Sequence, residues 1–208
     1  MSYRLRRASV LVQKYLLNKW QKFSDIDDAV HLPIVASVGL PFLIVRVNDQ
    51  ETLGRTKINL LALEELVRQG ITPDVHVYCC CGDDEDEIGT CTKDERRTER
   101  AQQLCARMFA PMDNVPEDPA TGSANAALAA LLTSLDTTTT TTTTTRRSSS
   151  PTDLDSDLYF SWTIRQGIEM GRSSLLHART HKDTATGQVQ GAWIRGSCVM
   201  VSEGWMEV

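Results

Sequence analysis

The most constraining stretch of this chain is a helix-like run with no polar face. From Asn125 to Leu132 it reads Asn-Ala-Ala-Leu-Ala-Ala-Leu-Leu, apolar nearly all round. A surface helix keeps one polar side toward water; a helix without one is surrounded by protein. The fold must therefore supply a wall that wraps it. The residues just before, Glu117-Asp118-Pro119-Ala120-Thr121-Gly122-Ser123-Ala124, mark where the helix begins. Pro119 ends an extended approach, Thr121 is a natural N-cap, and Gly122 and Ser123 open the first turn. Small residues there leave the first amides accessible. Together with the macrodipole they make an anion site suited to a substrate carboxylate. Asp118 stands beside it, placed to give or take a proton in a partly desolvated cleft. Neighbours in an extended chain point opposite ways, so only one of Glu117 and Asp118 faces that cleft. The same spacing equally fits a plain cap, with Asp118 and Thr121 doing no more than satisfying the helix end.

The wall is legible as short strands. Residues 33–38 and 42–47 read as strands around the Gly39-Leu40-Pro41 bend. A helix is predicted over 58–69, with Leu60, Leu63, Leu66 and Val67 on one face. Val75 to Cys81 follows as a buried strand. Near the end, 158–166, 173–180, 189–195 and 197–202 are strand-like runs rich in Val, Ile, Trp and Tyr, punctuated by Gly171, Gly187 and Gly196. Two segments interrupt this pattern. Residues 82–100 carry Asp83-Asp84-Glu85-Asp86-Glu87, a charge block that reads as a solvated loop and lacks calcium-loop spacing. Residues 136–153 hold nine consecutive threonines and a Ser-rich end, a low-complexity insertion looping out of one domain.

Bulk properties exclude several classes. The 208 residues suffice for a sizeable core, and 41% hydrophobic with 24% charged residues is ordinary for a globular protein. No apolar run reaches the ~20 residues of a membrane span. A net charge of −5, with no basic cluster interleaved with aromatics, argues against a nucleic-acid surface. Six cysteines lack the paired spacing of a zinc site and read as free thiols in a reducing, cytoplasmic compartment. Residues 1–25 form a basic amphipathic segment with no acid before Asp25. It reads as a surface helix, with a mitochondrial transit peptide as the alternative.

The run from Arg107-Met108-Phe109-Ala110-Pro111 through Val115 to Ala124 resembles the signature of the phenazine-biosynthesis PhzF-like isomerases. Ser37 to Phe42, Gln166 to Ser174 and the closing Gly196–Gly204 segment agree with it, in the right order. The resemblance covers residues 26–208 apart from the two insertions, and corresponds to that family's C-terminal half. It implies an α+β, diaminopimelate-epimerase-like lobe: a curved, mostly antiparallel sheet around a central buried helix. It also implies an active site between two such lobes and a proton shift that uses no cofactor and no metal. On this likeness Asp118 is a catalytic acid/base group. Gly122 and Ser123, with Thr121 and Ala124 beside them, bind a small carboxylate-bearing substrate through the helix N-terminus.

Thiol-using relatives of that fold place a cysteine just before the corresponding helix; here Asp118 holds that place, and the nearest upstream cysteine is Cys105. A carboxylate base suits a more acidic proton than a thiolate can abstract. The family's other catalytic group, a Glu in an Asn-x-Ser-Glu-Thr-like context, and its Gly-His pair do not occur in these residues. Asn114 stands where a Gly is usual, a position that a left-handed Asn can fill. The expectations are thus an isomerase represented by one lobe and inactive alone, or a non-catalytic binding relative. Either would expose apolar surface on its cleft side and favour a homodimer or other self-association.

Overall fold

The computed structural model describes residues 6–7, 31–81, 102–136, 157–200 and 202–205. The acidic run, the threonine tract and most of the basic start lie outside them. Among the described residues, nine strands form one curved sheet. They are β1 (Arg6–Arg7), β2 (Ile34–Ser37), β3 (Pro41–Arg46), β4 (Val75–Cys80), β5 (Gln102–Ala110), β6 (Val115–Asp118), β7 (Asp157–Gln166), β8 (Ser174–Asp183) and β9 (Val189–Gly196). Their order is β1-β2-β3-β4-β5-β7-β8-β9, with β6 paired to β5. The β3/β4 and β5/β7 pairs are parallel and the other six described pairs antiparallel, so the mostly antiparallel expectation holds.

Each parallel pair needs a crossover, and the two crossovers lie on opposite faces. Between β3 and β4 run two short helices, α1 (Gln50–Arg55) and α2 (Leu60–Arg68). Their Leu53, Leu63 and Leu66 pack with Leu43, Val45, Val75, Val77 and Phe109 on the outer face. Between β5 and β7 run β6 and the long helix α3 (Gly122–Leu135), which fills the concave face. Along β3 the alternation is plain: Phe42 and Ile44 point to α3, Leu43 and Val45 to α1 and α2. A strand buried on both faces reads as the continuous apolar run seen at 42–45.

Helix α3 is the axis of the lobe. Ala124, Ala127, Leu128, Ala129, Ala130 and Leu131 are wholly inaccessible to solvent, as an all-round apolar run demands. Its alanines let strands approach the backbone closely, and β2, β3, β7, β8 and β9 all touch it. Its C-terminal end is closed by buried Lys182, whose Nζ donates to the carbonyls of Thr133 at 3.2 Å and Asp136 at 2.6 Å. A cation at that end also offsets the negative pole of the helix.

Four details differ from the sequence reading. Residues 6–7 pair as a strand with β2 where a helix was expected. Residues 197–200 and 202 are not strand, because among the described residues β9 ends the sheet and nothing pairs beyond it. Helix α1 was not anticipated, although Asp49 accepts from the Thr52 amide at 2.7 Å as an N-cap. Finally, Cys81 and Cys105 form a disulfide, against the expectation of free thiols; the β4/β5 register brings their Cα atoms within 6.0 Å. Cys79 is free and buried in the outer core, and that burial pushes its thiol up to about 12.

Candidate active site

Strand β6 delivers two carboxylates to opposite sides, as the alternation of an extended chain requires. Glu117 turns outward. Arg107, on the neighbouring β5, donates to both of its oxygens, from Nε at 2.8 Å and Nη2 at 2.7 Å. The remaining guanidinium nitrogen, Nη1, donates to the carbonyls of Leu53, Gly54 and Thr56 at 3.0–3.1 Å, tying β5 to the end of α1. Glu169 lies at 3.8 Å from the same guanidinium. A planar five-donor fork suits this geometry where a lysine would not. Glu117 is therefore a structural partner.

Asp118 turns the other way, toward the start of α3. Its Oδ2 accepts from the Thr121 hydroxyl at 2.5 Å. Thr121 sits at the N-cap position, but its side chain does not cap the helix. The sequence assigns it the cap; instead its hydroxyl proton goes to the carboxylate, and its oxygen accepts from Gln166 Nε2 and not from a first-turn amide. Gly122 and Ser123 are half-buried, while the Ala124 side chain is enclosed. Ala124 is wholly enclosed, backbone included, so of the predicted binding residues in the first turn only Gly122 and Ser123 are partly open to solvent. Asn114 has the left-handed φ of 60°, in keeping with its place in the turn before β6.

Beneath this surface runs a polar network that the sequence reading missed. Gln166, at the end of β7, donates from Nε2 to the Asp118 carbonyl at 2.7 Å and to the Thr121 hydroxyl oxygen at 3.0 Å. Its Oε1 accepts from the Thr121 amide at 3.3 Å and from Asn125 Nδ2 at 2.7 Å. Asn125 also donates to the Thr121 carbonyl at 2.9 Å and meets His76 Nε2 at 3.2 Å. His76, Asn125 and Gln166 are all fully buried. Burial holds His76 neutral, with its pKa lowered to about 4. Two signals were visible: Asn125 is the polar intruder in an apolar helix, and a His in a buried strand must find a partner.

Gly167 locks the neighbouring turn. Its φ is +79°, and a β-carbon there would stand 2.5 Å from the Arg172 carbonyl oxygen and 2.9 Å from that of Pro119. Only glycine lets the turn after β7 press against the approach to α3. The sequence-predicted residues Asp118, Thr121, Gly122, Ser123 and Ala124 are thereby gathered at one end of the central helix. Among the described residues no His, Cys, Asp and Glu cluster has the geometry to hold a metal, and no helix is long and apolar enough to cross a membrane.

Relatives agree with this architecture. The crystal structure of a PhzF-family phenazine biosynthesis protein from Bacillus anthracis superposes with a TM-score of 0.63 over 94% of this chain and 55% of that one. At 17% identity the likeness is one of fold. An uncharacterised isomerase of Mesorhizobium japonicum is 29% identical over 171 residues, 81% of this chain and 45% of that protein. The chain thus spans about half the length of both. Residues 12–204 match the family model described as phenazine biosynthesis-like protein (PhzC-PhzF), so that nearly the whole sequence carries the family pattern and the chain belongs to that family.

Proposed function

We propose that this lobe holds a small carboxylate-bearing substrate at the N-terminus of α3, and that Asp118 moves a proton there in a cofactor-free isomerisation. One observation carries the reading: Asp118 is bound by a hydroxyl beside an α-helix whose first turn has no side-chain cap. Free amides and the positive helix pole suit a carboxylate ligand, and a fixed carboxyl group next to them suits general acid/base work. The family membership and the isomerase relative support the reaction class.

A second acid/base group in the family's Glu motif does not occur in these residues, which favours a companion reading for the isolated lobe: binding without turnover. Loss of one general acid/base group costs about 10²–10⁴-fold in rate. The two readings separate in one experiment. The ¹⁵N-labelled chain is titrated with small aromatic and unsaturated carboxylates, anthranilate among them, and any ligand that binds is incubated in D₂O and weighed for deuterium uptake. Binding should shift the Gly122, Ser123 and Ala124 amides. Deuterium uptake catalysed by a protein that carries both lobes, abolished in Asp118→Asn with the fold intact, is the expected result. Undiminished uptake in that variant would remove Asp118 from the mechanism.

A further inference from the structure

The network under Asp118 has a fixed direction, because backbone groups decide which way round each amide sits. The Thr121 carbonyl can only accept, so the Asn125 atom 2.9 Å from it is Nδ2, and Oδ1 faces His76. The Thr121 backbone N–H can only donate, so the Gln166 atom facing it is Oε1. Every remaining choice follows. His76 Nε2 must carry its proton, since Asn125 Oδ1 has none to give. Asn125 Nδ2 spends its second proton on Gln166 Oε1 at 2.7 Å. Gln166 Nε2 spends one proton on the Asp118 carbonyl and the other on Thr121 Oγ1. The single Thr121 hydroxyl proton then points at Asp118 Oδ2.

We propose that His76, Asn125, Gln166 and Thr121 form a one-way hydrogen-bond relay that positions Asp118, holding Oδ2 as a permanent acceptor so that any transferred proton is carried on Oδ1. This deepens the reading of Asp118 as the acid/base group and rests on it. Three further observations agree. Among the described residues nothing bonds Asp118 Oδ1, which leaves that oxygen to the ligand side. His76 Nδ1 is buried with no partner among them, an arrangement that suits an unprotonated ring nitrogen better than an N–H. Burial also keeps the ring neutral, as a single-tautomer donor requires. Gln166 and His76 come from two strands of the wall, β7 and β4, and Asn125 from the central helix α3, so the relay ties the carboxyl group to three elements. The four are positioning residues; none of them gives or takes the substrate's proton.

The test needs no turnover. In the ¹⁵N-labelled full chain at pH 7, long-range proton–nitrogen spectra should show His76 as the neutral tautomer protonated on Nε2; an Nδ1-protonated or charged ring overturns the relay at its first link. At the other end, the Asp118 ¹³Cγ resonance should shift between H₂O and D₂O, because a hydroxyl proton bonds it. Thr121→Val should abolish that shift and Thr121→Ser restore it. Gln166→Met, which keeps the length but removes both donors, should reduce it about twofold or more as the hydroxyl is freed to rotate. An unchanged shift in folded Thr121→Val or Gln166→Met overturns the relay. Where a variant does not fold, the His76 tautomer in the wild-type chain still decides. A failure of the proposed function would appear as no deuterium uptake with these resonances as expected, so the two failures are distinct.

Discussion

Acid should weaken this fold through one buried imidazole. His76 is fully buried and its pKa falls from 6.5 to about 4, chiefly because burial penalises the charged ring; the bond to Asn125 opposes this only partly. The unfolded chain takes up this proton below pH 6.5, while the folded chain resists until about pH 4. The stabilisation is therefore fully present above the unfolded value and is lost as pH falls through the window between the two. Within that window the slope is about 1.4 kcal/mol per pH unit, and the whole interval amounts to about 3 kcal/mol. That is a large share of the ~5–15 kcal/mol by which domains are stable. Other carboxylates titrate nearby in pH, so the measurement must isolate the ring. His76→Gln keeps a side-chain donor for Asn125 and does not titrate. Urea unfolding of both proteins at pH 7.5, 6.5, 5.5 and 4.5 gives a difference in stability at each pH. That difference should move in favour of the variant by about 2.5 kcal/mol between the ends. Parallel stability curves for the two proteins would refute the assignment of a neutral, buried His76.

Two further outcomes follow from the same packing. Arg107→Met strands the Glu117 carboxylate, which is 15% exposed, and should cost about 3–5 kcal/mol in urea unfolding. The double variant with Glu117→Met should recover part of that, and a single-variant loss below about 1 kcal/mol would show that the pair is not buried in solution. Gly167→Ala puts a β-carbon 2.5 Å from a backbone oxygen at φ +79°, and should lower the thermal midpoint by about 4–8 °C, from a cost of about 2 kcal/mol. An unchanged midpoint would mean that the turn can move away from Pro119.

What the sequence reveals here is what short-range periodicity controls. The all-round apolar run at 125–132 implied the central helix, and the opposed facing of Glu117 and Asp118 followed from strand geometry; both are seen. The strand at 42–47 was read as a strand but not as one buried on both faces, although Phe42 to Val45 has no polar residue to spare. What was not readable depends on pairings far apart in the chain. Gln166 meets Thr121 across 45 residues, and Arg107 reaches Leu53 across 54. No local pattern announces either. The disulfide is similar, since Cys81 and Cys105 become neighbours only through the β4/β5 register. The 197–202 run fails for the opposite reason: its apolar content suggests a strand, but Val199 and Met200 are exposed beyond the last strand of the sheet.

The two ends of α3 are treated differently, and that difference supports the site proposed at its N-terminus. A helix leaves unpaired carbonyls at one end and unpaired amides at the other, and a purely structural helix closes both. Here the C-terminal end is closed at the expense of a buried lysine: Lys182 is 4% exposed and spends its ammonium on two carbonyls. At the N-terminal end the one residue placed to cap, Thr121, gives its hydroxyl proton to Asp118 and accepts from Gln166, and no first-turn amide bonds to its side chain. Gln166 and Asn125 are well within reach of that turn, yet they bond to Thr121, to the Asp118 carbonyl and to each other. These two buried polar side chains thus support the threonine and the aspartate, with His76 behind Asn125, and none of the three closes the helix. Such an arrangement has a cost in stability that a cap would remove, about 0.5–2 kcal/mol for a good N-cap. Retaining it makes sense if the first-turn amides are kept for a ligand, with Asp118 held ready beside them.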